Sequence, residues 1–178
     1  MFAKTLVVHF ARVLLILLMS AAVWAEPIVG RPLPSWEGLR WLEARPSLEG
    51  RVVLVRYFTE GCSLCKHTVP SLLRLEREFP RLLVIGVYHP KPRGPVNAAR
   101  VKQAAQGLHI DFPVAWDADW KVLQRWWLDR SEGDYTSVSF LLDAQGVVRW
   151  VHPGGEVPPD SSDFKELRAQ VGRLLSRP

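Results

Sequence analysis

The chain has 178 residues and a formal net charge of +5 at pH 7, with 48% hydrophobic and 23% charged residues. This length is sufficient for one domain with a hydrophobic core. The basic residues are scattered along the sequence and form no run, so the charge pattern excludes a nucleic-acid-binding protein. We therefore expect a single folded domain that binds no nucleic acid.

The first 25 residues have the features of an export signal. Lys4 and Arg12 make the start of this segment positively charged, and residues 13–19 are continuously apolar. Val23 and Ala25 are the small residues that a signal peptidase prefers, which predicts cleavage after Ala25. The alternative is a retained membrane anchor, although the uninterrupted apolar run is short for a span of about 20 residues. Both forms predict a periplasmic or other extracytoplasmic location.

The first half of the mature chain alternates apolar runs with helical patterns. Residues 26–50 are rich in Pro, Trp and Arg and predict an irregular lead-in with one short strand near Leu39–Leu42. Residues 51–59 and 81–89 are almost free of polar side chains, which predicts strands buried on both faces. Apolar residues at helical spacing follow each run. They predict a helix from Cys62–Ser63 to before Pro80 and a second helix with Val101, Ala104, Ala105 and Leu108 on one face.

The second half predicts three further strands and two helices. A short strand is expected within 111–117, and a short helix within 119–128 with Asp119 as its N-cap. Residues 137–143 and 147–153 predict an antiparallel hairpin. Asp163 and Glu166 predict a capping box at the start of a final helix. Alternation of strands and helices predicts an α/β fold with a central sheet flanked by helices.

Cys62 and Cys65 are the two cysteines of the chain, and they lie where the first buried strand ends and a helix begins. Unpaired N–H groups and the helix dipole at that position favour a thiolate. Cys65 lies one turn further on the same side, where it could attack a mixed disulfide on Cys62. This placement predicts thiol–disulfide exchange. A structural disulfide gains little from so short a loop, a structural zinc site needs four ligands, and we expect no metal or other cofactor.

The residues from Trp36 to Val157 resemble extracytoplasmic thioredoxin-like proteins of the TlpA and DipZ type, within the AhpC/TSA-like redoxins. Pro70 has the family's position, eight residues after the first cysteine. The resemblance implies a thioredoxin-like domain over 51–178, with an inserted strand and helix and a C-terminal hairpin plus helix. It also implies that Cys62 attacks and Cys65 resolves. The matching segments are the strand, CxxC and helix at 51–79, the strand and loop at 82–92, the insertion at 109–127 and the hairpin at 139–154.

Three residues depart from the family's pattern; one of them, Thr68, stands where many TlpA-type proteins have glutamate. Ser137, preceded by Thr136, stands where these folds have a cis-proline beside the cysteines. A non-proline cis bond costs about 2.5–4 kcal/mol, so we predict a trans bond and a hydroxyl that faces the sulfurs. Arg56, six residues before Cys62, stands where some thioredoxins have a buried acid. Its charge could favour a thiolate, or its side chain could extend to the edge of the sheet with no chemical role.

Three further positions are candidates for the edge of the site or of a partner groove. Glu60 lies two residues before Cys62. His89 follows the second strand, at the end of the sheet where loops face the active site in open α/β folds. Trp126 and Trp127 are adjacent on a predicted helix, so they point about 100° apart and one of them could line a partner groove.

The sequence therefore predicts an exported, monomeric thiol–disulfide oxidoreductase. Its expected partners are client proteins with disulfides or thiols and a membrane redox protein that recycles the cysteine pair. Two alternatives remain open. A copper-handling metallochaperone would use both thiols with a histidine such as His89, and a thiol peroxidase would use Thr59 and Cys62, which form a T-x-x-C motif. The sequence leaves the direction of electron flow open.

Overall fold

The fold was analysed in a computed structural model, which describes residues 27–130 and 135–176. The predicted signal segment, residues 1–25, lies outside the described residues. Among the helices that are described, none combines the length and the apolar character needed to cross a membrane.

The described chain follows the predicted order of elements. A π-helical turn, Gln124–Leu128, continues directly from the short helix Lys121–Leu123. The strands are β1 (Arg40–Trp41), β2 (Val53–Phe58), β3 (Leu83–Tyr88), β4 (Val114–Trp116), β5 (Ser139–Leu142) and β6 (Val148–His152), and the helices are α1 (Ser63–Glu78), α2 (Ala98–Gly107), α3 (Lys121–Leu123) and α4 (Ser162–Leu175).

The strands form one mixed sheet in the order β1-β4-β3-β2-β5-β6. β2, β3 and β4 are parallel, whereas β5 and β6 form the predicted antiparallel hairpin and β1 is antiparallel to β4. Every residue of β2 and β3 is buried. The prediction of two central strands covered on both faces is therefore confirmed, as is the mixed α/β fold.

The alternation of side chains along β2 separates two layers of core. Val55 and Tyr57 pack in a cluster with Trp126. This cluster lies on the side of the sheet that α3 and the lead-in cover. Leu54 faces a cluster formed with α1 and α4, and Phe58 faces one formed with α1 and α2. Even-numbered residues of β2 thus lie beneath α1, the helix that carries the cysteines.

The lead-in, which we predicted to be irregular, is tied to both edges of the sheet. The predicted short strand is present as β1, and Trp41 pairs with Ala115 of β4. At the opposite edge, Pro32 forms an isolated antiparallel bridge with Val147. Trp36 lies between these two points and packs on the core of the sheet. The lead-in therefore crosses one face of the sheet and covers it.

The predicted helix caps are displaced, by one residue at α3 and by two residues at α4. At α3 the cap position is Trp120, which adopts a positive φ of 62°. The Asp119 carboxylate accepts the Lys121 N–H at 3.4 Å, and the Asp117 carboxylate accepts the Leu123 N–H at 2.7 Å. At α4 the N-cap is Ser161, because the helix begins one residue before Asp163 and the Ser161 hydroxyl accepts the Phe164 N–H.

Candidate active site

The two cysteines form a disulfide at the N-terminus of α1. Gly61, with φ of +67°, turns the chain out of β2 in a conformation that other residues rarely adopt. Cys62 is then the N-cap of the helix, and its Sγ accepts a hydrogen bond from the Cys65 N–H at 3.1 Å. Cys65 is only 1% exposed, whereas Cys62 is half-buried. A partner molecule can therefore reach Cys62 but not Cys65.

A groove of about 350 Å³ opens beside the disulfide. The predicted site residues Thr136, Ser137 and His89 all lie on it, whereas Glu60 does not. The sequence did not identify Tyr135, Lys91 or Leu64 as site residues, although each lies close in sequence to one that it did identify. The groove is lined by Phe58, Thr59, Cys62, Leu64, Cys65, His89, Lys91, Tyr135, Thr136 and Ser137.

Tyr135 forms an exposed wall of this groove, and two contacts fix its position. The Trp127 indole N–H donates a hydrogen bond to the Tyr135 carbonyl oxygen at 3.1 Å. The Tyr135 side chain lies so close to Gly154 that a Cβ on that glycine would be 2.3 Å from it. Trp126 is fully buried in the core. Neither tryptophan lines the groove, contrary to one of our expectations, but Trp127 supports the residue that does.

Ser137 has the predicted trans peptide bond, since the only cis bond in residues 27–130 and 135–176 joins Lys91 and Pro92. Its hydroxyl is not directed to the sulfurs as we expected. It accepts a hydrogen bond from the Gly155 N–H at 3.1 Å. Ser137 thus fastens the loop after β6 to the edge of the groove, a contact that no pattern in the sequence predicts.

Arg56 lies inside the protein and is 2% exposed, so the expectation that it could reach the edge of the sheet is wrong. Its guanidinium donates hydrogen bonds to the Gly155 carbonyl oxygen at 2.7 Å and to the Ser139 hydroxyl at 3.2 Å. Burial lowers the pKa of Arg56 to about 9. The side chain remains a cation at neutral pH, and it occupies the face of β2 that lies beneath α1.

His89 is buried at the back of the groove. Its ring stands edge-on to the Trp120 ring, with 5.0 Å between the ring centroids. Burial, with a further contribution from the charge of Lys91, lowers the pKa of His89 to about 3. The imidazole is therefore neutral at physiological pH, and it presents an uncharged polar surface to the groove.

Glu60 is close to Cys62 in sequence, but its carboxylate is held by α2 and β3. It accepts hydrogen bonds from Tyr88 and Arg100. Burial raises the pKa of Glu60, but these hydrogen bonds outweigh that effect and bring the pKa to about 2. Glu60 thus serves to fasten the turn before Cys62 to the neighbouring elements.

The Glu60→Gln variant is expected to be less stable at pH 7 by about 1 kcal/mol, allowing for the partial exposure of the carboxylate. Since folding lowers the Glu60 pKa, this stabilisation is fully present above the ordinary value of 4.5 and is lost as the pH falls towards 2. Urea unfolding at pH 7 and pH 2.5 measures the effect. A stability difference that is the same at both pH values would contradict this assignment.

The described residues lend no support to either alternative chemistry. Within 27–130 and 135–176, no group of three or more His, Cys, Asp or Glu side chains is placed to hold a metal ion. Cys62, Cys65 and His89 therefore do not form such a group in the disulfide-bonded protein. The Thr59 hydroxyl donates a hydrogen bond to the Glu60 carboxylate at 3.1 Å, so it is not directed to Cys62 as a T-x-x-C peroxidase site would require.

Comparison with known proteins points to the same class of site. The model of the AhpC/TSA family matches residues 34–151. Protein DipZ of Mycobacterium tuberculosis is 29% identical over 132 residues, which are 73% of this chain and 17% of DipZ. The chain therefore spans about one sixth of the length of this curated relative.

Solved structures share the fold over most of the chain. A thiol-disulfide isomerase from Corynebacterium glutamicum has a TM-score of 0.63 and 25% identity, covering 83% of this chain and 97% of that one. A secreted Mycobacterium tuberculosis disulfide oxidoreductase, homologous to E. coli DsbE, has a TM-score of 0.52 and 17% identity, covering 71% and 84%. The thioredoxin-like fold is thus confirmed, and the Cys62–Cys65 disulfide lies within it.

Proposed function

Because the chain belongs to the AhpC/TSA family, we propose that it is an exported thiol–disulfide oxidoreductase that exchanges electrons with client proteins through Cys62 and Cys65. One observation carries the proposal. The disulfide lies at a helix N-terminus, with Cys62 open to a groove and Cys65 shielded behind it. Export is supported by the N-terminal signal pattern and by the secreted oxidoreductase among the structural neighbours.

In the oxidising direction, a client thiolate attacks the Cys62 sulfur. The Cys62–Cys65 bond breaks, its electron pair leaves on Cys65, and a mixed disulfide joins Cys62 to the client. A second client thiolate then attacks the client sulfur of the mixed disulfide and releases Cys62 as a thiolate. The client has lost two electrons and the cysteine pair has gained them. The reducing direction follows the same steps in reverse, with Cys62 attacking and Cys65 resolving.

Local groups stabilise the Cys62 thiolate in both directions. The Cys65 N–H already donates to the Cys62 sulfur at 3.1 Å, and a negative sulfur strengthens such a bond. The positive end of the α1 dipole acts at the same atom. Phe58, Leu64 and Tyr135 give the groove an apolar lining on which a client segment can pack. A membrane redox protein would then reset the pair after each turnover.

The experiment is a redox cycle on protein expressed from the full sequence and isolated from the periplasmic fraction. Alkylation and mass spectrometry should find the Cys62–Cys65 disulfide in the isolated protein. Dithiothreitol should open it in the folded state, and oxidised glutathione should close it again. Sulfurs that react only after denaturation would contradict the proposed activity. Absence of the protein from the periplasmic fraction would contradict its export.

A further inference from the structure

Arg56 is a buried cation whose hydrogen-bond partners in the described chain are neutral. The guanidinium donates to the Gly155 carbonyl and the Ser139 hydroxyl, and its Nε has no partner. A buried charge costs free energy unless it is paired with an opposite charge. The oxidised protein therefore carries a cation for which the described residues provide no anion.

The register of the sheet makes room for this side chain. Arg56 pairs directly with Gly86 on β3 and with Ser139 on β5. Directly opposed residues share a face of the sheet, so the two neighbours of Arg56 on that face are both small. The space above Gly86 is taken by Phe58 and Phe112, since a Cβ there would lie within 3.1 Å of both rings. The sheet thus encloses Arg56 in apolar surroundings.

Arg56 and Cys65 line the same small void between the sheet and α1. The void has no space for a water molecule. Charges interact much more strongly across such a medium than across water. A negative charge on the Cys65 sulfur would therefore be attracted to the Arg56 guanidinium with little screening.

We propose that Arg56 is a positioning residue for the resolving thiol, whose positive charge stabilises the Cys65 thiolate across the shared void. This inference rests on the proposed function. When a client thiolate attacks Cys62, the electron pair of the broken bond arrives on Cys65, and no proton has to arrive with it. In the reverse step, Cys65 attacks the mixed disulfide as a thiolate, without first giving a proton to a neighbouring base.

The other groups around Arg56 cannot supply the missing anion. Gly86 of β3 and Ser139 of β5 carry no charge. His152 of β6 is a titratable neighbour, and burial followed by the charge of Arg56 lowers its pKa, so it is neutral; the Glu166 carboxylate of α4 acts on His152, whose pKa it raises. The Asp163 carboxylate of α4 lies 3.4 Å from the His152 ring, and it raises the His152 pKa rather than pairing with Arg56. Cys65 of α1 is the group facing Arg56 that can become negative.

The test uses the Cys62→Ser protein, in which Cys65 is the single thiol. The ultraviolet absorbance of the thiolate, followed against pH, gives the Cys65 pKa. Burial alone would raise this pKa above the ordinary value of about 8.5; we expect it to lie below that value. Adding Arg56→Gln to this protein keeps a donor for Gly155 but removes the charge. At a fixed pH below the Cys65 pKa, the fraction of Cys65 present as thiolate should then fall about tenfold or more.

Two controls separate the charge of Arg56 from its structural contacts. Arg56→Lys should restore most of the thiolate, because it restores the charge. Arg74 is an exposed arginine on the same helix as Cys65, and it pairs with Asp160. The Arg74→Gln variant should therefore leave the Cys65 pKa unchanged. Circular dichroism checks that each variant is folded.

A Cys65 pKa at or above the ordinary value in the Cys62→Ser protein would overturn the inference without any Arg56 variant. An unchanged pKa in folded Arg56→Gln would also overturn it. Failure of the proposed function would be distinguishable, since it would appear in the wild-type protein as a disulfide that does not cycle. The thiol titration does not depend on that cycle.

Discussion

In the Cys65→Ser protein, a mixed disulfide on Cys62 is expected to accumulate as a stable product. Cys62 keeps its access to the groove and its place at the N-terminus of α1, so it still attacks. The thiol that would release the partner is gone. Well-oriented intramolecular reactions reach effective molarities of about 10⁵ M or more, so external thiols replace the lost step only slowly. Incubation with oxidised glutathione or a disulfide peptide, followed by intact-mass measurement, should find the adduct as the main species.

The matched control is Cys62→Ser, which keeps one thiol in the same motif. Cys65 is 1% exposed and lies behind the first turn of the helix, so a disulfide substrate cannot reach it. We expect little adduct from this variant under identical conditions. Equal adduct formation by both variants would contradict the division of roles, although the redox cycle of the wild type could still stand.

The central part of the fold could be predicted because its signal is local. Residues 51–59 and 81–89 have almost no polar interruption, and only a strand covered on both faces explains such runs. The position of Cys62 followed from the same signal, since a helical pattern starts where the first run ends. The apolar lining of the groove could be expected only in outline, because its walls come from three separate segments, 58–65, 89–91 and 135–137.

The missed features depend on contacts between residues far apart in sequence. The backbone carbonyl of Gly155 bonds to Arg56, 99 residues away, and its N–H bonds to Ser137, 18 residues away, and no sequence period marks such contacts. Glu60 illustrates the opposite error, since closeness to Cys62 in sequence suggested a place at the site. Its direction is set by Tyr88 and Arg100, which are 28 and 40 residues away.

The misplaced helix caps have a more local cause. Asp, Ser and Asn are all good N-caps, and several of them stand near the start of each helix. Only the backbone conformation selects among them. Ser161 has the extended conformation of an N-cap, and Asp163 is already inside the first turn of α4.

The largest loss of stability is expected from Trp126→Ala. Trp126 is fully buried and stands edge-on to Trp36, Tyr57 and Phe140, with ring centroids 4.9, 6.1 and 6.0 Å away. Its indole N–H also donates to the Pro34 carbonyl oxygen at 3.0 Å, which fixes the lead-in over the sheet. Removing a buried tryptophan costs about 3–5 kcal/mol. Since domains are stable by only about 5–15 kcal/mol, the variant should be close to unfolding.

Trp127→Ala is the matched control, because it removes the same side chain from the next position of the same helical turn. Trp127 is half-buried, and its indole N–H holds the groove residue Tyr135 rather than the lead-in. We expect a loss of about 1–2 kcal/mol, within the usual range for single substitutions. Urea unfolding followed by circular dichroism compares the two variants. Equal losses would mean that Trp126 does not anchor the core, and that the lead-in is held by its backbone pairing at the two edges of the sheet.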